Sequence, residues 1–128
     1  MSVVFEPAIH GEARIPGRKI EVKLRITTGP SGQTGSTTYT LAGSQAVTRK
    51  DSFSDLLGKG NEVDGKLLHC TTLISDIAPD HDEVRYKIEV LAGPDEKVVW
   101  FQERKRSVPA AGDQVNYTAY VSMITVLP

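Results

Sequence analysis

Between Arg18 and Thr28 the side chains alternate with period two: Ile20, Val22, Leu24 and Ile26 on one side, Lys19, Glu21, Lys23 and Arg25 on the other. The same alternation returns at Val84, Tyr86, Ile88 and Val90, interleaved with Arg85, Lys87 and Glu89. An extended chain with this pattern buries one face and wets the other, which is how strands of antiparallel sheets are built. Four long segments of this kind fill the second half of the chain: Lys66–Ile77, Glu83–Leu91, Lys97–Arg106 and Gln114–Leu127. Their connections, Ala78–Asp82, Ala92–Glu96 and Ser107–Asp113, each hold Pro, Gly or Asp, the residues of tight turns. None is long enough for the helical crossover that parallel neighbours need. The spacing predicts a meander of these four strands, completed by the N-terminal strands. The fold class is all-β: an antiparallel β-sandwich, immunoglobulin-like or jelly-roll-like, with mostly hairpin connections. A closed antiparallel β-barrel is the alternative.

The first half is more broken. Ser2–Phe5 reads as a short edge strand, Gly11–Gly17 as a turn, and the glycine-rich Gly29–Ser36 as a loop or hairpin tip. Thr37–Ala42 is extended, with Gln45–Thr48 continuing it after a bend at Gly43. Asp51–Leu57 predicts the one helix: Ser52 and Asp55 resemble a capping box, Phe53, Leu56 and Leu57 share a face, and Gly58 suits the end. Lys59–Gly65 reads as a polar linker within one domain spanning residues 1–128.

Composition narrows the function classes. Lys and Arg total 15 against 16 Asp and Glu, a net charge of −1, so no global attraction draws the chain to nucleic acid or an anionic membrane. Cys70 is the only cysteine, which excludes an intrachain disulfide and leans towards a reducing, cytoplasmic compartment. Met1–Glu12 has no signal-peptide character, and no run approaches the ~20 apolar residues of a membrane span. With one Trp, four Tyr and three Phe, the aromatic content argues against a carbohydrate-binding face of several stacked rings.

The turn between Lys97 and Ala92 sets a register. Pairing Leu91 with Val98 places Val90 opposite Val99 and Ile88 opposite Phe101 on the inner face. Glu89 then meets Trp100, Lys87 meets Gln102, and Arg85 sits beside Arg104 on the outer face. Trp100, Leu91, Val98 and Arg104 are therefore the candidate interface, since Trp and Arg are enriched at binding hot spots. A one-residue slip would reverse every side chain.

Asp76, Asp80, Asp82 and Glu83 gather hard oxygen ligands around one strand connection, the donor type that Ca²⁺ takes. The alternative is a solvated turn in which Asp80 or Asp82 caps the backbone. His69 and Cys70 are adjacent on a strand and so point to opposite faces: Cys70 with Leu68, Thr72 and Ile74, His69 with Leu67, Thr71 and Leu73. His10, His69 and His81 would make a metal site only if the fold gathered them, and their spacing matches no zinc motif. Arg104-Lys105-Arg106, with Arg49-Lys50 and Lys97, forms the main basic patch, of the kind that protects edge strands.

The leading expectation is a non-catalytic β-sandwich module that acts through contact with an unidentified protein or through self-association. A homodimer is suggested by the last strand, which is apolar on both sides. No cofactor is implied, Ca²⁺ being the alternative. Two other readings stand beside it. One is a small-ligand binder or enzyme with a cavity between the sheets, using Tyr39, Tyr86, Tyr117, Tyr120 and His69. The other is a calcium-dependent binding module.

Overall fold

The computed structural model describes residues 3–29, 33–76, 83–107 and 113–126. In chain order they form β1 (Val3–Phe5), β2 (Ile9–Ile15), β3 (Glu21–Thr28), β4 (Gln33–Leu41), β5 (Val47–Lys50) and β6 (Phe53–Lys59). There follow one helical turn, α1 (Gly60–Val63), and the long strands β7 (Leu67–Asp76), β8 (Glu83–Ala92), β9 (Lys97–Ser107) and β10 (Gln114–Thr125). They divide into two packed sheets that do not close into a barrel. Sheet A runs β10-β7-β4-β5, with β1 and β2 successively along the free side of β10; sheet B runs β6-β3-β8-β9.

The period-two residues do what their pattern requires. Val22, Leu24 and Ile26 of β3, Val84, Tyr86, Ile88 and Val90 of β8, and Val115, Tyr117, Ala119, Val121 and Met123 of β10 are buried between the layers. Cys70 lies among them with Leu68, Thr72 and Ile74. At the centre the Tyr86 ring of one sheet stacks on the Tyr117 ring of the other, centroids 4.5 Å apart. Both hydroxyls are buried without a hydrogen-bond partner among the described residues. Beside them Thr37 and Thr72 join hydroxyls at 2.8 Å across sheet A.

The meander does not form. Among the described residues, hairpins join only β4 to β5 and β8 to β9; the chain changes sheet between β7 and β8 and again between β9 and β10. β7 and β10 therefore pair with each other, Cys70 opposite Ala119, while the β8–β9 hairpin covers them from the opposite layer. Crossing places an apolar face on both sides of one core, which a single-layer meander cannot do. Sheet A is also mixed: β1 and β2 run parallel to β10. The intervening chain serves as the crossover that parallel neighbours need.

Four local expectations are corrected. Gly11 is not in a turn but within β2, paired with Val121. Its side-chain space is taken by the Trp100 indole, which leaves no room for an added Cβ. Gln33–Ser36 is not loop but the start of β4, paired with β7 from Asp76 to Leu73. Val47 does not prolong β4; it turns back opposite Tyr39 as β5. The segment expected to be helical is the β5–β6 corner followed by β6, which pairs with β3 through Ile26–Phe53 and Leu24–Asp55.

At that corner Asp51 takes a left-handed φ of 56° and its Oδ1 accepts the Gly35 amide at 2.9 Å, while Ser52 Oγ accepts the Thr28 amide at 3.0 Å. The corner is thus tied to both sheets. Tyr39 stacks on Phe53 and donates its hydroxyl to Asp55 at 2.6 Å. A two-turn helix carries the full cost of nucleation with little length to offset it, so these tertiary partners decide the conformation. The only described helix lies in the supposed linker. α1 buries Val63 and closes one end of the sandwich. Gly60 there packs so close to the Gly17 carbonyl that no side chain would fit.

Candidate functional site

The β8–β9 hairpin pairs Leu91 with Val98, and then Val90 with Trp100. Val99 is an extra residue, and this bulge shifts every later pair: Glu89 faces Phe101, Ile88 faces Gln102, and Lys87 faces Glu103. Trp100 and Val99 both pack against the core as a result, and Phe101 takes the outward position assigned to Trp100. The cause is at the seam between the layers. β2 and β9 form adjacent open edges of the two sheets, and the indole fills the gap above Gly11, while Arg106 reaches Glu6 at 3.2 Å.

The candidate interface is thereby rearranged. Trp100 is partly buried against the core, and Leu91 is fully buried, although it stands on the outer face between Lys23 and Val98. Val98 is 40% exposed. Arg104 is exposed, donating to Gln102 Oε1 at 2.7 Å and to the Glu103 carbonyl at 3.1 Å. The residue that sequence reasoning missed is Phe101, 54% exposed at the outer edge of sheet B, with the Lys87 ammonium 5.7 Å from its ring centroid.

Beneath Phe101 lies a carboxylate. Glu89 is only 3% exposed, and Arg25 grips both its oxygens, Nε to Oε1 at 2.9 Å and Nη2 to Oε2 at 3.0 Å. Lys87 Nζ adds a contact at 3.7 Å. Arg25 holds the Glu89 carboxyl below the usual carboxylate range, against the opposing effect of burial. The fork is two-pronged and joins β3 to β8 beside the aromatic edge.

Of the calcium candidates, Asp80 and Asp82 lie outside the described residues. Asp76 ends β7 on sheet A and Glu83 begins β8 on sheet B. The Glu83 carboxylate is paired with Arg85 at 2.6 Å. His81 also lies outside the described residues. Among those described, no three His, Cys, Asp or Glu side chains come together as a metal-binding group, and no helix is long and apolar enough to cross a membrane.

The chain was compared with known proteins. No family, curated protein or solved structure matches it.

The five polar residues proposed to line a cavity do not converge. Tyr86 and Tyr117 stack inside the sandwich and Tyr39 sits at the β5–β6 corner. Tyr120 and His69 face outward from sheet A. There they join His10, which the parallel β2–β10 pairing brings alongside. His10 stacks on Tyr120 at 5.4 Å and 14°, and Tyr120 on His69 at 4.7 Å and 8°. Tyr120 stands between the two histidines and separates them. The outward positions of His69 and Tyr120 follow from strand alternation; their alignment with His10 needed the strand order.

Proposed function

We propose that this chain is a non-catalytic β-sandwich module that acts by protein–protein contact through the outer face of sheet B beside β9. The exposure of Phe101 is the observation that carries the reading. A large ring left in water on an edge strand gives up roughly 25 cal/mol of stabilisation for each Å² that a partner would cover. Val98 extends the apolar edge, and Leu56, 58% exposed on β6, marks the other side of the same face. Aromatic anchors with charged neighbours are the usual composition of contact hot spots.

The charges between these apolar groups favour a second copy as the occupant. Lys23, Arg25 and Lys87 alternate with Glu21, Glu89 and Glu103 across the sheet, a mixed pattern that a two-fold axis can set against itself with opposite signs in register. A groove of about 500 Å³ lined by Ile20, Lys23 and Pro94 lies at the end of this face and offers a recess for a partner side chain.

Sedimentation velocity over a concentration series tests the reading. The mass is expected to rise towards a dimer with concentration, and Phe101→Ser is expected to weaken association about tenfold or more at an unchanged melting midpoint. A strict monomer at every concentration, indifferent to Phe101→Ser, overturns it.

A further inference from the structure

The outer face of sheet A differs in kind from that of sheet B. At the outward positions of its three central strands, β4, β7 and β10, there is no Asp, Glu, Lys or Arg. Hydroxyls take their place. Thr118, Thr71, Thr38 and Thr48 stand in one cross-strand row over four strands, with Thr38 and Thr48 hydroxyls 3.0 Å apart. The His10–Tyr120–His69 stack forms the next row. On the other side of the threonine row a groove of about 330 Å³ opens between Thr34, Ser36, Leu73 and Ser75, with Lys50 and Asp51 at its rim.

We propose that this face binds a neutral oligosaccharide. A charged ligand would find no opposite charge on the central strands, and an apolar one would bury the hydroxyls without replacing their bonds to water. A neutral polyol meets both demands: its hydroxyls donate to and accept from threonine, imidazole and phenol groups, and its C–H surfaces lie against Leu73 and the exposed edges of the stacked rings. The three rings are already stacked in register, so little freedom is lost when a ligand settles on them. His69 and Leu73 are four residues apart on β7, roughly 13 Å along an extended strand, so the row and the groove together suit a chain of several sugar units rather than one. Sequence composition argued against stacked rings because it counted only Phe, Tyr and Trp; two of these three rings are histidines.

An NMR titration of the isotopically labelled full chain tests the assignment, with cellohexaose, maltohexaose and mannohexaose as neutral probes and a hyaluronan hexasaccharide as the anionic control. At least one neutral probe is expected to shift the resonances of Tyr120, His69 and Thr71 saturably. Tyr120→Ala and Thr38→Lys are each expected to weaken that binding about tenfold or more. Thr38→Lys leaves the rings in place and replaces one hydroxyl of the threonine row by a long cation, and a preserved spectrum shows that either variant is folded. Phe101→Ser is expected to bind the sugar as well as the parent chain, which separates this face from the contact surface of sheet B. The proposal is overturned if none of the neutral probes shifts this face at millimolar concentration. Equal binding of hyaluronan, or binding that survives both substitutions, also overturns it. Line broadening of the same resonances with protein concentration alone would overturn it by giving the face to a second copy.

Discussion

The two outer faces come from strands of the same periodicity and have opposite chemistry. Sheet B covers its outward side with ion pairs, Arg25–Glu89 at 2.9 Å and Lys23–Glu96 at 3.5 Å among them, and leaves an aromatic ring at its edge. The outward positions of the central strands of sheet A carry hydroxyls and stacked rings and no Asp, Glu, Lys or Arg. Alternation requires only that one residue in two be wet, and threonine and lysine satisfy it equally. The inner faces are therefore constrained alike by packing. The outer faces are free to diverge, and that is where the surface chemistry of this molecule differs from side to side.

The largest expected effect breaks the frame on which the comparison stands. The two layers meet at the β2–β9 seam through Gly11 and Trp100. Gly11→Val should lower stability by about 1–3 kcal/mol, the usual range for overpacking, and shift Trp100 emission to the red as the indole leaves its place. An unchanged melt with blue emission would show that the seam does not hold the faces together.

Next comes the contrast itself. Glu89→Gln removes the charge from the Arg25 fork and should cost about 1–3 kcal/mol in urea melts. Thr71→Ala, at the centre of the other face, should stay within about 0.5 kcal/mol. Equal costs would mean that both faces are chiefly structural.

The remaining effects are in pH. Glu89 is held below its ordinary pKa of 4.5, so its stabilisation is present above that value and is lost as pH falls through the lowered one. The acid limb of a melting profile should therefore flatten in Glu89→Gln. At the alkaline end burial pushes Cys70 and Tyr117 up to about 12 and Tyr86 well above its usual value. The unfolded chain ionises these groups from roughly pH 8.5 to 10 upward, so stability should fall as pH rises through that range. Cys70→Ala should remove the earliest part of the fall.

Much of this fold was legible in the residues. The four long strands lie within a residue or two of their expected bounds, and the buried set on β3, on β10 and on β8 as far as Ile88 follows the alternation; beyond it Glu89 and Leu91 are buried although they face outward. The candidate site was legible only at its first pair. Leu91 and Val98 do face each other, but one extra residue at Val99 turned Trp100 inward and Phe101 outward. Nothing local marks that bulge, because its cause is the space over Gly11 on a strand about ninety positions earlier in the chain. The false helix at Asp51–Leu57 failed in the same way: the capping signal was present, and the partners Thr28, Gly35 and Tyr39 that outweighed it are distant in sequence.

Side-chain periodicity was sufficient for the class of structure and for the inward residues of β3, β10 and most of β8, because burial on a regular pleated strand is a local, two-residue rule. Strand order, the bulge and the His10–Tyr120–His69 alignment had to wait for the packed molecule. Each depends on which distant backbone supplies the neighbouring hydrogen bonds, and a free energy shared among remote partners leaves no mark on any one stretch of chain.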